Sequence, residues 1–431
     1  MSIAKKSLET LLARVVMQLF AAAGTIVIAR TLSTTGKGGF TYAGTMMGLL
    51  LMAFVGHNKA ILWQYGRRAL PPAAIIRVMI AVIAAISVPM VIALVLIGAL
   101  IPSQSSLLFV AAAVPFAIFS QSAVGIFVGQ GDVRVANITY LFWTVASTIV
   151  YVPLIIFVNR SLWVALAVWS AGYVAGAVYT AMALRPYWRR ASADADSKAI
   201  AKEQVTFGAH ACLSSLAQYL DFRMGVFIVM YMLGSAALGI YSVGIAISEF
   251  IWQLSSAMIN PALKDIGGSD YERAADVTAK CMRHSFALVL LAAIFVAVLA
   301  RPVVPLIYGR AFSYGAVITV ALLPGTIAYS MMPALSSFFS QQLGTPRVPS
   351  VFSALSAVIC GLLTVFTLPR FGLIAASIAT SISYSAAFAA AIWYFTRQTK
   401  MPVTSLFAFS LEDLRPYRSL LASAAAAIRS R

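Results

Sequence analysis

Apolar residues dominate this chain in long, nearly unbroken runs, separated by short polar punctuation. The runs predict helices at 8–29, 39–63, 76–100, 107–129, 138–158, 162–184, 207–233, 238–262, 284–308, 316–342, 350–368 and 372–396. Runs of this kind are long enough to cross a bilayer as helices, which takes about 20 residues each. The ninth run carries Arg301, Pro302 and Pro305 near its end, so an early stop is expected there. The first run is followed by a turn, not by an A-x-A site, so no cleavable signal is expected. The pattern is that of an all-α membrane protein of about twelve transmembrane helices.

Composition agrees. The 431 residues are 61% hydrophobic and only 10% charged, whereas soluble domains carry about 25% charge. A net charge of +18 raises the question of nucleic acid, but the basic residues are scattered through short loops. With twelve spans both termini share one side. That side holds Lys5, Lys6, Arg67, Arg68, Arg134, Arg185, Arg189, Arg190, Lys264 and Arg347, among others. The opposite side has only Arg30, Lys37, Arg160, Arg301, Arg310 and Arg370. The positive-inside rule makes the richer side, and both termini, cytoplasmic. The expected location is a bacterial inner membrane, with membrane lipids as neighbours and no nucleic-acid partner.

The most polar internal stretch lies after Arg185. It suggests an N-terminal six-helix bundle at 1–190, a cytoplasmic linker at 191–206 and a C-terminal bundle at 207–400. A cytoplasmic amphipathic tail follows at 401–431, with Leu406, Phe407, Leu411 and Leu414 set against Glu412, Asp413 and Arg415. A disordered tail is the alternative beyond Ser423. The halves look duplicated. A shift of 201 residues lays Leu32, Gly38, Phe40 and Thr41 on Leu233, Gly239, Tyr241 and Ser242. A shift of 213 lays Gly131, Arg134 and Val135 on Gly344, Arg347 and Val348, and one of 211 lays Leu162 and Tyr173 on Leu373 and Tyr384. Six spans per half make the repeats parallel, related by a pseudo-two-fold along the membrane normal. Coincidence in apolar sequence is the alternative.

Ionisable groups inside spans are costly and usually face a cavity or a partner. The seventh span carries Asp221 and Arg223, and the eighth carries Glu249 at similar depth. Arg223 and Glu249 could pair, either as a substrate or coupling element or as a bridge that only fixes packing. Polar stripes run along the eighth span (Ser242, Glu249, Gln253, Ser256, Asn260) and the seventh (His210, Ser214, Gln218, Asp221). Arg14 and Gln18 lie on the first span, and Ser330, Ser337 and Gln341 on the tenth. Ser stripes read as helix packing. Stripes with charged or amide groups read as a wet cavity. Arg14, His57 and Lys59 are explained by snorkelling or by a basic mouth that collects an anionic head group. The three cysteines, Cys212, Cys281 and Cys360, share no metal-site or disulfide spacing, and the histidines are dispersed. No catalytic or nucleotide motif appears, so neither an enzyme nor a cofactor or metal is expected.

Several pieces resemble a known family. They are LGIYSVG at 238–244, E-x-x-W at Glu249 and Trp252, IYG-x-x-F at 307–312, LLPG at 322–325 and P-x-F-G-L at 369–373. ARTLSTTGKGGF at 29–40 and GQGDVRVAN at 129–137 join them. As an ordered set they resemble the Wzx-type polysaccharide flippases of the multidrug/oligosaccharidyl-lipid/polysaccharide exporter superfamily. The resemblance implies two six-helix bundles in a V around a central cavity, and alternating access. It also implies passage of an undecaprenyl-diphosphate-linked oligosaccharide from the cytoplasmic to the periplasmic leaflet, with cationic residues receiving the pyrophosphate. The substrate-contacting set is then Arg14, Gln18, Gln218, Arg223, Gln253 and Asn260, and Glu249 and Asp221 form an ion-coupling or structural pair. A polymerase and other polysaccharide-assembly proteins are the implied partners. Many relatives carry R-x-D in the seventh span. Here Met224 and Gly225 follow Arg223, so that acidic role does not transfer to Asp221. A drug or small-cation antiporter of the same superfamily, and a membrane-bound polymerase or ligase, are the competing readings.

Overall fold

A computed structural model describes residues 3–68, 70–188 and 196–408. Ten of its helices are long and apolar enough to cross a membrane among the described residues. In chain order they are α1 (Ile3–Arg68), α2 (Pro72–Leu100), α3 (Leu107–Gly129), α4 (Val133–Val158) and α5 (Leu162–Trp188). Then come α6 (Ser197–Ile259), α7 (Tyr271–Tyr308), α8 (Arg310–Gln342), α9 (Arg347–Phe371) and α10 (Leu373–Thr399).

α1 has 66 residues and α6 has 63, too long for single spans. At 1.5 Å per residue each would reach about 95 Å as a straight rod, three times a bilayer's hydrocarbon core. Both are broken at one non-helical residue, Ser33 (φ 65°, ψ 178°) in α1 and Gly234 (φ 80°, ψ −177°) in α6. Each leg alone then has the length that one span needs. These two breaks stand 201 positions apart, the shift found in the sequence. Gly131 (φ 82°) and Gly344 (φ 63°), 213 apart, likewise share a positive φ.

The backbone region occupied by Ser33 and Gly234 is nearly exclusive to glycine, and another residue there costs about 1–3 kcal/mol. Ser33→Gly is therefore expected to raise the melting temperature of the detergent-purified protein, and Gly234→Ala to lower it. Equal melting of both variants and the parent would show that neither break is strained.

Surface chemistry is inverted relative to a soluble protein. Phe157, Leu100, Phe366, Val298 and Leu291 are each at least two-thirds exposed. Hydroxyls inside the helices bond to their own helix instead. Thr139 donates to Val135 O, Thr180 to Gly176 O, Thr278 to Ala274 O and Thr326 to Leu322 O. This suits lipid, where each polar group must be satisfied internally. The chain is a multi-pass membrane protein.

By contacts the chain forms two compact units. One comprises Met1–Val243 with Pro302–Gly315, the other Gly244–Arg301 with Ala316–Arg431. In the first, Ile28, Leu32, Tyr151, Ile155 and Ala165 form a core cluster. In the second, Ile251, Val289, Ala293 and Leu323 do so. Segment 207–243 thus sits with the first unit. The six-plus-six division at 191–206 remains tied to the sequence duplication.

Three local expectations are corrected. α6 begins at Ser197, inside the expected linker, because Asp196 caps it: its Oδ1 accepts from the backbone N–H of Lys198 (2.9 Å) and Ala199 (3.2 Å). α7 does not stop early but runs through Pro302 and Pro305 to Tyr308. There Arg30, expected in an outer loop, donates from Nε to Ile307 O (2.7 Å) and from Nη2 to Leu306 O, covering carbonyls that prolines and a helix end leave open. In the tail, Val403–Leu406 form one 3-10 turn, held by Arg283 Nη1 donating to Ser405 O (2.6 Å) with Leu406 buried. The expected amphipathic helix beyond residue 408 lies outside the described residues.

Candidate functional site: a polar seam between two broken helices

The second leg of α1 (34–68) and the first leg of α6 (197–233) run antiparallel along each other within the first unit. The contacts fall in reverse order. Gln64 Nε2 donates to Ile200 O (3.0 Å), Cys212 Sγ to Ala53 O (2.6 Å) and Tyr219 Oη to Thr45 O (2.7 Å). Glycines bring the two backbones together. A Cβ on Gly56 would strike Gly208 O, one on Gly48 would strike the Tyr219 hydroxyl, and one on Gly38 would strike Ser235 O. Small residues permit such close approach between membrane helices.

At the end of the seam nearest residue 64, four buried side chains form a chain of hydrogen bonds. Ser122 lies 3.0 Å from His57 Nδ1, and His57 Nε2–H donates to Gln204 Oε1 (3.0 Å). Gln204 Nε2 donates to Gln64 Oε1 (3.1 Å), and Gln64 Nε2 donates onward to Glu203 Oε2 (3.1 Å). His57, Gln64, Ser122 and Gln204 are all at most 5% exposed. Snorkelling therefore does not describe His57: it is an internal residue with both ring nitrogens engaged.

Asp221 is buried on the same leg of α6, and Arg223, one turn-fraction on, is half-buried. Sequence reading missed a buried cation within reach of Arg223's charge. Lys37, expected among outer-loop cations, is 4% exposed, with Nζ donating to Thr41 Oγ1 (2.8 Å). The charge of Arg223 acts on it. The flanking Gly36 and Gly38 made Lys37 look like loop. Both lie inside the helix, where Lys37 meets Thr41 at i+4. Two cations held near each other away from bulk water form a place where an anion is favoured.

The remaining candidates are dispersed. Arg14 and Gln18 are exposed on the first leg of α1, with Arg14 in electrostatic reach of Tyr140. Gln218 is exposed on α6. Glu249 and Gln253, half-buried, and Asn260, exposed, belong to the second unit, whereas Arg223 belongs to the first. Within the stripes, Ser242, Ser330 and Ser337 donate to carbonyls of their own helices, as packing residues do. Among the described residues no three His, Cys, Asp or Glu side chains gather to hold a metal.

The profile of a family described as "Polysaccharide biosynthesis protein" matches residues 102–316. The resemblance seen in the sequence motifs is supported by this match, which covers just under half of the chain. Solved structures agree on the fold. "Lipid II flippase MurJ, inward closed conformation" matches with a TM-score of 0.76 at 11% identity, covering 92% of this chain and 88% of that one. An inward-facing multidrug resistance MATE family transporter of the MOP superfamily matches at 0.69 and 16% identity, covering 89% and 94%. A MOP superfamily transporter from Pyrococcus furiosus, described by the reverse polarity of its binding pocket, matches at 0.63 and 16% identity, covering 92% and 95%. No curated protein matches in sequence. The all-helical fold of these structures is common to this chain.

Proposed function

We propose that this protein is a flippase that carries an undecaprenyl-diphosphate-linked oligosaccharide from the cytoplasmic to the periplasmic leaflet, for surface polysaccharide assembly. The observation that carries this reading is the buried Lys37 within reach of Arg223's charge. A diphosphate is the natural occupant between an ammonium and a guanidinium, since the fork of Arg matches phosphate and Lys adds a point charge. Arg14 and Gln18 would collect the head group, and Gln218, Gln253 and Asn260 would meet sugar hydroxyls. Glu249 and Asp221 would serve coupling or structure. The lipid tail would stay in the bilayer while the polar part crosses.

Both termini are proposed to be cytoplasmic in an inner membrane, with twelve legs in two parallel six-leg repeats. A polymerase acting on the exported unit is the expected partner. The small-cation alternative needs an acidic path, and Asp221 is the only buried carboxylate among the described residues.

The test is complementation of a strain whose own exporter gene is deleted. The full chain is expected to restore surface polysaccharide and to clear lipid-linked oligosaccharide from the cytoplasmic leaflet. Persistent accumulation despite normal membrane levels, together with new resistance to cationic drugs, would reject the flippase in favour of the antiporter.

A further inference from the structure

An aromatic track runs through the first unit. Trp143 of α4 meets Tyr140 with ring centroids 5.4 Å apart, and meets Tyr173 of α5 at 5.4 Å. Tyr173 meets Trp169 edge-on at 5.0 Å, and Trp169 meets Phe40 of α1 at 6.1 Å. One end of the track reaches Arg14, which lies in electrostatic range of Tyr140. The other end reaches the cationic pair. Phe40 is one helical turn from Lys37, and Tyr173 lies in electrostatic range of Tyr219, one turn from Arg223.

Trp and Tyr usually sit at the two membrane surfaces, where the ring is in apolar surroundings and the tip is wet. Here Trp143 and Tyr173 stand near the middles of α4 and α5. They do not face lipid. The exposed stripe of α5 is Ala167, Ala171, Ala175, Val178 and Met182. Trp169 and Tyr173 are each two residues from members of that stripe, which on a helix is the opposite side. Yet Tyr140, Trp143, Trp169 and Tyr173 are only half-buried. Their hydroxyl and indole N–H tips make no hydrogen bond among the described residues. Such tips at mid-span need water or a polar ligand, since hydrocarbon offers no partner. The backbone at the centre of the track is adapted as well. Phe142–Ala146 form a π turn, whose extra residue re-aims the side chains around it, Trp143 among them.

We propose that this track is the sugar-contacting surface of the protein: pyranose rings of the carried oligosaccharide stack their C–H faces on Trp143, Tyr173 and Trp169, while the free ring tips exchange hydrogen bonds with sugar hydroxyls. A pyranose is apolar on its faces and polar round its edge, the same division of character that Trp and Tyr have. The track contacts successive sugars, and Lys37 with Arg223 holds the diphosphate at its end. The proposal rests on the flippase reading above for the origin of the sugar. Equatorial hydroxyls leave both faces of a glucose unit apolar, so a β-linked glucose trisaccharide is a sufficient probe.

The test measures binding of three probes to the full chain in lipid nanodiscs. They are farnesyl diphosphate, farnesyl diphosphate bearing the trisaccharide, and an uncharged farnesyl glycoside of the same trisaccharide. In the parent, the trisaccharide is expected to tighten binding of the diphosphate by about tenfold or more. Trp143→Leu and Tyr173→Leu are each expected to weaken both sugar-bearing probes by about tenfold, the scale of one ring contact, and to leave farnesyl diphosphate unchanged. Trp163→Leu is expected to change nothing, because Trp163 is exposed and stacks on Phe109 away from the track.

Should the leucine variants fail to fold, Trp143→Phe with Tyr173→Phe replaces them. These keep a ring but lose both polar tips, and a smaller loss confined to the sugar-bearing probes is expected. Equal loss on all three probes would mark the rings as packing and overturn the track. No gain from sugar in the parent, or no loss in the folded variants, would overturn it too. The two readings part cleanly. A gain from sugar with none from diphosphate would uphold the track and reject Lys37 and Arg223 as the diphosphate site. A gain from diphosphate with none from sugar would do the reverse.

Discussion

Arg223→Ala is expected to abolish surface polysaccharide in the complementation strain while the protein reaches the membrane at its normal level. Arg223 is the half-buried guanidinium whose charge reaches Lys37. Removing one partner of a desolvated charge-assisted contact costs about 2–5 kcal/mol, enough to reduce flux from about thirtyfold to several thousandfold. Arg223→Lys keeps the charge but loses the planar fork, so it should recover only part of the activity. Quantified cell-surface polymer, normalised to membrane protein, checks both. Full activity of Arg223→Ala would remove Arg223 from the substrate path. Equal loss in Arg223→Lys and Arg223→Ala, with lowered melting temperature in both, would mark it as a packing residue.

Lys37→Met is expected to move activity and stability in opposite directions. The ammonium is buried, donates to Thr41, and lies in the field of a second cation. Burying a charge in such a place is unfavourable for the folded protein without its ligand. An apolar side chain of similar length removes that cost, by about 1 kcal/mol or more. Melting temperature in detergent should therefore rise while transport falls by about tenfold or more, the trade-off found where a site is built for its ligand. Addition of diphosphate should stabilise the parent and not the variant, by simple linkage. A fall in both melting temperature and transport would show that Lys37 supports the helix and nothing else.

Much of the fold could be read from the chain itself. Spans show because lipid demands about twenty apolar residues in a row, a constraint on composition that needs no partner to be visible. The suggested duplication was legible at Gly38 and Gly239 and at Gly131 and Gly344. Glycine is retained where a backbone break or close approach excludes a side chain, and those are properties of one position. Arg223 and Asp221 were legible as candidates for the same reason: a charge amid apolar residues stands out alone.

What stayed hidden were the relations between distant positions. Lys37 read as loop because its neighbours are Gly36, Gly38 and Gly39, yet helix packing buries it near Arg223. His57 read as a snorkelling surface group, yet Ser122 and Gln204, 65 and 147 positions away, enclose it. Periodicity told which residues share a face of one helix. Which face meets which other helix depends on crossing geometry and packing, and those exist only once the chain has folded. Sequence alone therefore determined the membrane class and the apolar runs long enough to span, and tertiary structure decided that the second leg of α1 lies along α6 and turns isolated polar residues into a buried hydrogen-bonded chain and a cationic pair.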